Sequence, residues 1–271
     1  MVKILFFGDI VGRSGRSAVV GSLKNIKEQH QANFTIINCD NASGGFGVNK
    51  NAHDEILAAG ADVLTGGDHI WDQRDNNPAA QSKHLLRPLN YPDTTPGAGA
   101  RIFEIGAQKI LVIHLLGQVF LKENLNCPFA EVEKLLKIYK LGKNIDAIFI
   151  DFHAEATSEK MAMAKFLDGR VSAVIGTHTH IPTNDAHIMP NGTAYQTDAG
   201  MCGDYDSVIG MEKDVPIRSF LHKRKQGKMK PATKEATLCG CIIDIADNGL
   251  AKEIEVLKIG GILGDKKLQR Q

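Results

Sequence analysis

Short apolar runs of strand length recur along this chain, and the residues that close them constrain the fold most. The runs cover residues 4–7, 34–37, 63–64, 110–116, 147–150 and 171–175. Several are rich in Ile and Val, as strands covered on both faces should be. Stretches of helical spacing lie between them. Residues 17–29 place Val19, Val20, Leu23 and Ile26 on one face. Residues 130–139 repeat this with Val132, Leu135, Leu136 and Ile138, and residues 155–167 with Met161, Met163, Phe166 and Leu167. This alternation predicts an α/β fold. Residues 236–245 and 250–259 read as a hairpin around Ala246-Asp247-Asn248-Gly249. That antiparallel ending favours a mixed sheet, or two packed sheets with outer helices, over a purely parallel one.

Five of the runs end in the same kind of chemistry. Gly8-Asp9 closes the first, and Asn38-Cys39-Asp40-Asn41 the second. Gly67-Asp68-His69, Asp151-Phe152-His153 and His178-Thr179-His180 follow the third, fifth and sixth. In α/β sheets the carboxyl ends of strands line the ligand crevice, so these groups are expected to converge. Imidazole with carboxylate suits Zn, Mn, Fe or Ni. In extended backbone, His178 and His180 would face one side. Asp9, Asp40, Asn41, Asp68, His153, His178 and His180 exceed one tetrahedral ion. They suit two ions about 3.5–4 Å apart sharing one carboxylate, a device that clamps phosphoryl groups.

Composition narrows the setting. The chain has 271 residues, enough for one large domain or two small ones. Lys and Arg total 32 against 31 Asp and Glu, a net charge of +1, so no global basic field favours non-specific nucleic-acid binding. Residues 222–234 nevertheless hold six Lys/Arg and no acid. They are either a solvated connection or a basic lip for a phosphate-bearing ligand. Five cysteines, an odd number, suggest a reduced protein rather than a disulfide framework. Cys239 and Cys241 read as buried small hydrophobes. The N-terminus shows no signal-peptide core, and no run approaches the roughly 20 apolar residues of a membrane helix. The expectation is a cytoplasmic protein without membrane contact.

The ordered motifs Gly8-Asp9, Asp40-Asn41, Gly67-Asp68-His69, His153 and Gly176-x-His178-x-His180 resemble the calcineurin-like metallophosphoesterase superfamily. The stretches GDIVGRSGR, NASGGFG, DFHAEATSEKMAM, LDGRVSAVIGTHTH and GTAYQTDAGMCG more closely resemble its YmdB-like family of 2′,3′-cyclic-nucleotide phosphodiesterases, over nearly the whole chain. The resemblance implies an α/β fold, a four-layer αββα sandwich of two mixed β-sheets flanked by helices, with residues 1–271 as a single domain. It also implies a dinuclear centre of two divalent metal ions (Fe, Mn or Zn). Asp9, Asp40, Asn41 and His180 would hold one ion. Asp40, Asp68, His153 and His178 would hold the other, with Asp40 bridging. A metal-bridging hydroxide would attack cyclic or small nucleotide phosphodiesters, with His69 as general acid. The superfamily's usual Asp-x-His has Val11 in place of the His, and Asn41 would fill the vacancy.

Two positions depart from the family's pattern. Asp40 stands where Glu is common, shorter by about 1.5 Å of reach. Asp68 stands where Asn is common and adds a negative charge. Other assignments stay open. His69 has a second reading as a metal ligand. Arg13 is a candidate phosphate contact, and Arg16 a weaker one. Gly8, Gly12 and Gly15 lack the spacing of a dinucleotide loop. Trp71 either packs or stacks on a base. His114 is expected as a hydrogen-bonded core or site-edge residue, and Cys202 has no partner base. The same centre would also serve a phosphomonoesterase or nuclease, and a non-catalytic nucleotide-binding regulator is the alternative outside enzymes. Homo-oligomers and an RNA contact stay open.

Overall fold

The structure, a computed structural model, describes residues 2–73, 77–122 and 125–264. The chain opens with β1 (Val2–Phe7), the short β2 (Asp9–Ile10), α1 (Gly12–His30), β3 (Phe34–Asn38), α2 (Lys50–Ala58), β4 (Val63–Thr65) and β5 (Leu85–Leu86). The middle holds β6 (Ala100–Ile105), β7 (Gln108–Leu116), α3 (Pro128–Ile138), β8 (Ala147–His153), α4 (Thr157–Leu167), β9 (Ala173–Thr177), β10 (His187–Ile188) and β11 (Ala194–Gln196). It closes with β12 (Met201–Asp204), α5 (Asp214–His222), β13 (Ala236–Ile245) and β14 (Ala251–Ile259).

These strands form two mixed sheets. The first runs β2-β12-β13-β1-β3-β4-β5, with β14 on β13. Within it β1, β3 and β4 are parallel, while β13 is antiparallel to both β1 and β14. The expected terminal hairpin is thus present. The second sheet runs β10-β11-β9-β8-β7-β6, with β7, β8 and β9 parallel.

Alternation along β1 explains its unbroken apolar run. Leu5 and Phe7 face α1, among Val19, Leu23 and Ile26. Ile4 and Phe6 face the other sheet, with Phe149 and Ile175. The Phe6 and Phe149 ring centroids are 5.0 Å apart. Outside the second sheet, Val132 and Leu136 of α3 and Met163 and Leu167 of α4 close a third core. The layers are therefore helix, sheet, sheet, helix. Each large apolar side chain buried this way stabilises the fold by about 1.5–3 kcal/mol.

Boundaries differ from expectation where backbones approach closely. Helix α1 begins at Gly12, five residues before the apolar stripe suggests. A Cβ at Gly15 would lie 1.9 Å from the Cys202 carbonyl oxygen, so this turn presses on β12 and carries no apolar side chain. Strand β8 runs through His153 instead of ending before Asp151. The short α2, α5 and β10–β12 carry too little periodic signal to be seen in sequence. The parallel triplets point their carboxyl ends toward one edge of the inter-sheet space, where the polar closers meet. Among the described residues no helix is long and apolar enough to cross a membrane.

Candidate metal centre and active site

Asp9, in β2, and Asp40, after β3, are buried. His153 ends β8, also buried, and Asp68 follows β4 at the edge of the cluster. His153 Nε2 lies 3.1 Å from Asp68 Oδ1, 3.6 Å from Asp40 Oδ2 and 3.0 Å from His178 Nδ1. His153 Nδ1 lies 3.5 Å from Asp9 Oδ1. Residue 67 must be glycine for this approach, since a Cβ there would sit 2.3 Å from His153 Nε2.

Hydrogen bonds behind the cluster fix which atoms face inward. Asp151 is fully buried; burial alone would raise its pKa, but His114 beside it and the Thr65 hydroxyl hold it at about 2. As a carboxylate it can only accept. Asn38 Nδ2 donates to it at 2.9 Å and Thr177 Oγ1 at 2.7 Å. With its proton spent there, Thr177 Oγ1 accepts from His153 Nδ1 at 2.9 Å. The lone pair of His153 Nε2 therefore points at Asp68 Oδ1. Burial also lowers the His153 pKa, which favours the neutral ring.

The same arrangement recurs across the cluster. Ile209 O accepts from His180 Nδ1 at 2.8 Å, and Gly45 O accepts from Asn41 Nδ2 at 3.0 Å. That leaves His180 Nε2 and Asn41 Oδ1, two acceptors, facing each other at 3.1 Å. Burial lowers the His180 pKa as well. Asp9 Oδ1 is buried with no hydrogen-bond partner. Burial raises the Asp9 carboxyl to about 6. Asp40 is pushed well above the carboxylate range by burial and by its neighbours Asp68 and Asp9. Asp68 goes the other way: against the effect of burial, the neighbouring imidazoles of His153, His178 and His69 hold it well below that range. Acceptors that face acceptors in a buried site fit a cation between them. Ligand atoms of Asp68, His153 and His178 gather within 4.8 Å, as do those of Asp40, Asp68 and His69.

His178 and His180 reach the cluster differently from the extended pairing that the sequence suggests. Their φ angles are +103° and +68°, a left-handed loop after β9. Asp198 holds that loop by accepting from Thr179 N at 3.0 Å and Thr179 Oγ1 at 2.8 Å. Lys160, from α4, donates to Asp198 at 2.8 Å, and both are buried. The backbone N–H of His178 donates to Asp9 Oδ2 at 3.2 Å, and His178 Nε2 lies 3.2 Å from Glu155.

His69 borders a cavity of about 820 Å³ that opens beside the cluster. Its backbone N–H donates to Asp40 Oδ1 at 3.1 Å, and its Nδ1 pairs with Asp72 at 2.8 Å. Arg13 does not line this cavity: it is exposed and borders a separate recess with Ser17 and Lys234. Arg16 is engaged by Glu55 and by the Ala42 carbonyl, both at 2.6 Å. Trp71 packs edge-on to Tyr91, with centroids 6.3 Å apart. Buried Cys39 donates to Thr65 O, and burial pushes its thiol and that of Cys202 well up. Sequence reasoning missed Thr177, Asp72 and Glu155, and it placed Asp151 among the converging strand ends without a role. Only Asp151-x-His153 carried a signal, since alternate residues of a strand share a face.

The αββα layers and this acid–imidazole cluster define a phosphoester hydrolase of the metallophosphoesterase type. The chain belongs to the YmdB-like protein family, whose model matches residues 5–257. It is 40% identical over 259 residues to the 2′,3′-cyclic-nucleotide 2′-phosphodiesterase of Bacillus subtilis (strain 168), covering 95% of this chain and 96% of that one. A solved phosphatase from Mycoplasma pneumoniae is 33% identical with a TM-score of 0.87, covering 95% of this chain and 92% of that one. The Haemophilus influenzae NAD nucleotidase shares the fold at 13% identity and a TM-score of 0.58, covering 97% of this chain and 56% of that one.

Proposed function

We propose that the chain hydrolyses 2′,3′-cyclic or other small nucleotide phosphodiesters with two divalent ions. Asp9, Asn41 and His180 would hold one ion, and Asp68, His153 and His178 the other. Asp40 would be shared, since both Asp9 and Asp68 act on its carboxyl. The carrying observation is the pair of acceptor-on-acceptor contacts, His153 Nε2 to Asp68 and His180 Nε2 to Asn41. Each asks for a cation. The Bacillus subtilis relative's name supports the substrate class.

Bound divalent ions supply a water nucleophile at neutral pH and neutralise phosphate charge. The chain supplies the acid. His69 faces the cavity, and Asp72 holds the proton on Nδ1, so Nε2 is the atom that gives a proton to the leaving oxygen. The grouping of His69 with Asp40 and Asp68 supports the second reading, His69 as a ligand.

Elemental analysis paired with a substrate panel tests the proposal. Two metal equivalents and release from 2′,3′-cyclic AMP but not p-nitrophenyl phosphate are expected. Zero or one equivalent counts against it, and turnover of p-nitrophenyl phosphate alone favours a phosphomonoesterase. His69→Ala should lower kcat by about 10²–10⁴-fold with metal content unchanged; loss of one metal equivalent would make His69 a ligand.

A further inference from the structure

The cavity beside the cluster does not end at the size of one nucleotide. Phe46, Lys225, Gly227 and Met229 line it and also line an adjoining recess of about 510 Å³ with Lys228. The two form one groove leading from the acid–imidazole cluster to the basic segment after α5. The Phe46 ring stands perpendicular to that of His69, with centroids 5.0 Å apart. Phe220 and Met229 flank the same space and are 79% and 36% exposed, leaving apolar surface beside the site open to solvent.

Lys225 and Lys228 line this groove, and Lys223, Arg224 and Lys230 belong to the same basic segment; all five are exposed. None of them meets a carboxylate among the described residues, whereas Lys213 and Lys234 each pair with Asp206 at 2.6 Å. A self-complementary contact between two copies would set these cations against one another. A cyclic mononucleotide carries a single phosphate, which the cluster takes, and leaves the lysines unused. Aromatic and apolar surface beside unpaired lysines is what single-stranded nucleic acid binds.

We propose that the site acts on the 3′ end of a single-stranded oligoribonucleotide bearing a terminal 2′,3′-cyclic phosphate, with Phe46 and Met229 taking the last base and Lys225 and Lys228 the preceding phosphates. This rests on the phosphodiesterase reading above. Water adds to phosphorus, the bond from phosphorus to one ribose oxygen breaks, and that oxygen takes the proton from His69. The oligonucleotide leaves with a 3′-terminal phosphomonoester. The groove thus adds affinity without altering the reaction.

Metal-loaded protein is compared on adenosine 2′,3′-cyclic phosphate and on a triadenylate ending in that group. The oligomer should show a KM about tenfold lower, the worth of one stacked base or a few phosphate contacts. The ratio should shrink with added salt and fall to about one in K225Q/K228Q. Equal KM values, or a ratio that the double substitution leaves intact, overturn the inference while leaving the phosphodiesterase reading standing. If neither substrate turns over, that reading fails. Anisotropy of a fluorescent triadenylate with a 3′-phosphate then decides the groove: tighter binding by wild type than by K225Q/K228Q supports it, and equal binding overturns it. A concentration-dependent mass by light scattering that F220E abolishes would assign the face to a second copy and overturn it as well.

Discussion

The two halves of the acid–imidazole cluster use the same logic with different parts. In the half formed by Asp9, Asn41 and His180, backbone carbonyls set the side chains: Ile209 O orients the imidazole and Gly45 O the amide. In the half formed by Asp68, His153 and His178, side chains do so: Thr177 orients one imidazole and Glu155 approaches the other. The first half is buried throughout, while Asp68 and His178 border solvent. A backbone anchor cannot be mutated away, and a side-chain anchor can. The first half is therefore the fixed one, and tuning belongs to the second.

Asp40 lies between the halves, and its loss should erase the difference. Asp40→Ala is expected to lower kcat/KM by more than ~10³-fold, because several kcal/mol of charge stabilisation would go with the ion contacts proposed for it. Metal analysis should show both equivalents weakened. Loss confined to one equivalent would mean that Asp40 serves one half alone.

The next largest effect falls on stability. Thr179 sits between His178 and His180, one from each half, and Asp198 holds it. Lys160 is the buried counter-charge. Lys160→Ala leaves Asp198 buried and uncompensated, which typically costs about 3–5 kcal/mol. Urea unfolding of the protein should show that loss. A change below ~1 kcal/mol would mean that water reaches Asp198 and that the loop does not depend on the ion pair.

Thr177→Val tests the side-chain-oriented half directly. Val keeps the shape but neither donates to Asp151 nor accepts from His153, so the ring loses its fixed tautomer. Metal affinity or activity should fall about 10–100-fold. His180, held by a carbonyl, should keep the ion proposed for its half, so occupancy should drop toward one equivalent. An equal drop in both would show that the halves are not independent.

This asymmetry also explains what the sequence could convey. Asp9, Asp40, Asp68 and His153 were legible because each closes an apolar run, and strand ends in parallel sheets share one edge. The orienting groups were not. Thr177 looks like any strand residue, and the Ile209 and Gly45 carbonyls belong to no side chain at all. Arg13 invited a phosphate role because α1 starts beside Asp9, yet it lies over another recess, since Gly12 and Gly15 turn the helix tightly against its neighbours. His178 and His180 join the cluster by a route the sequence did not suggest: i and i+2 face one way in a strand, but here a left-handed loop brings them there.

Asp68→Asn gives the smallest effect and the sharpest view of the tunable half. The neighbouring imidazoles of His153, His178 and His69 favour the ionised form of Asp68 in the folded chain, against the effect of burial. With two divalent ions bound, as proposed, Asp9, Asp40 and Asp68 would leave a formal charge of about +1, and Asn in place of Asp68 about +2. The extra unit of charge in the cluster beside the cavity should draw an anionic substrate more strongly, by about 1 kcal/mol after screening, or roughly fivefold in KM. The same change removes a charged ligand, so the ion beside His153 should be lost at lower chelator concentration. A lower KM with weaker metal retention would show that Asp68 trades substrate attraction for metal holding. A higher KM at full metal occupancy would show instead that its carboxylate positions the substrate, and the two halves would then differ in role as well as in support.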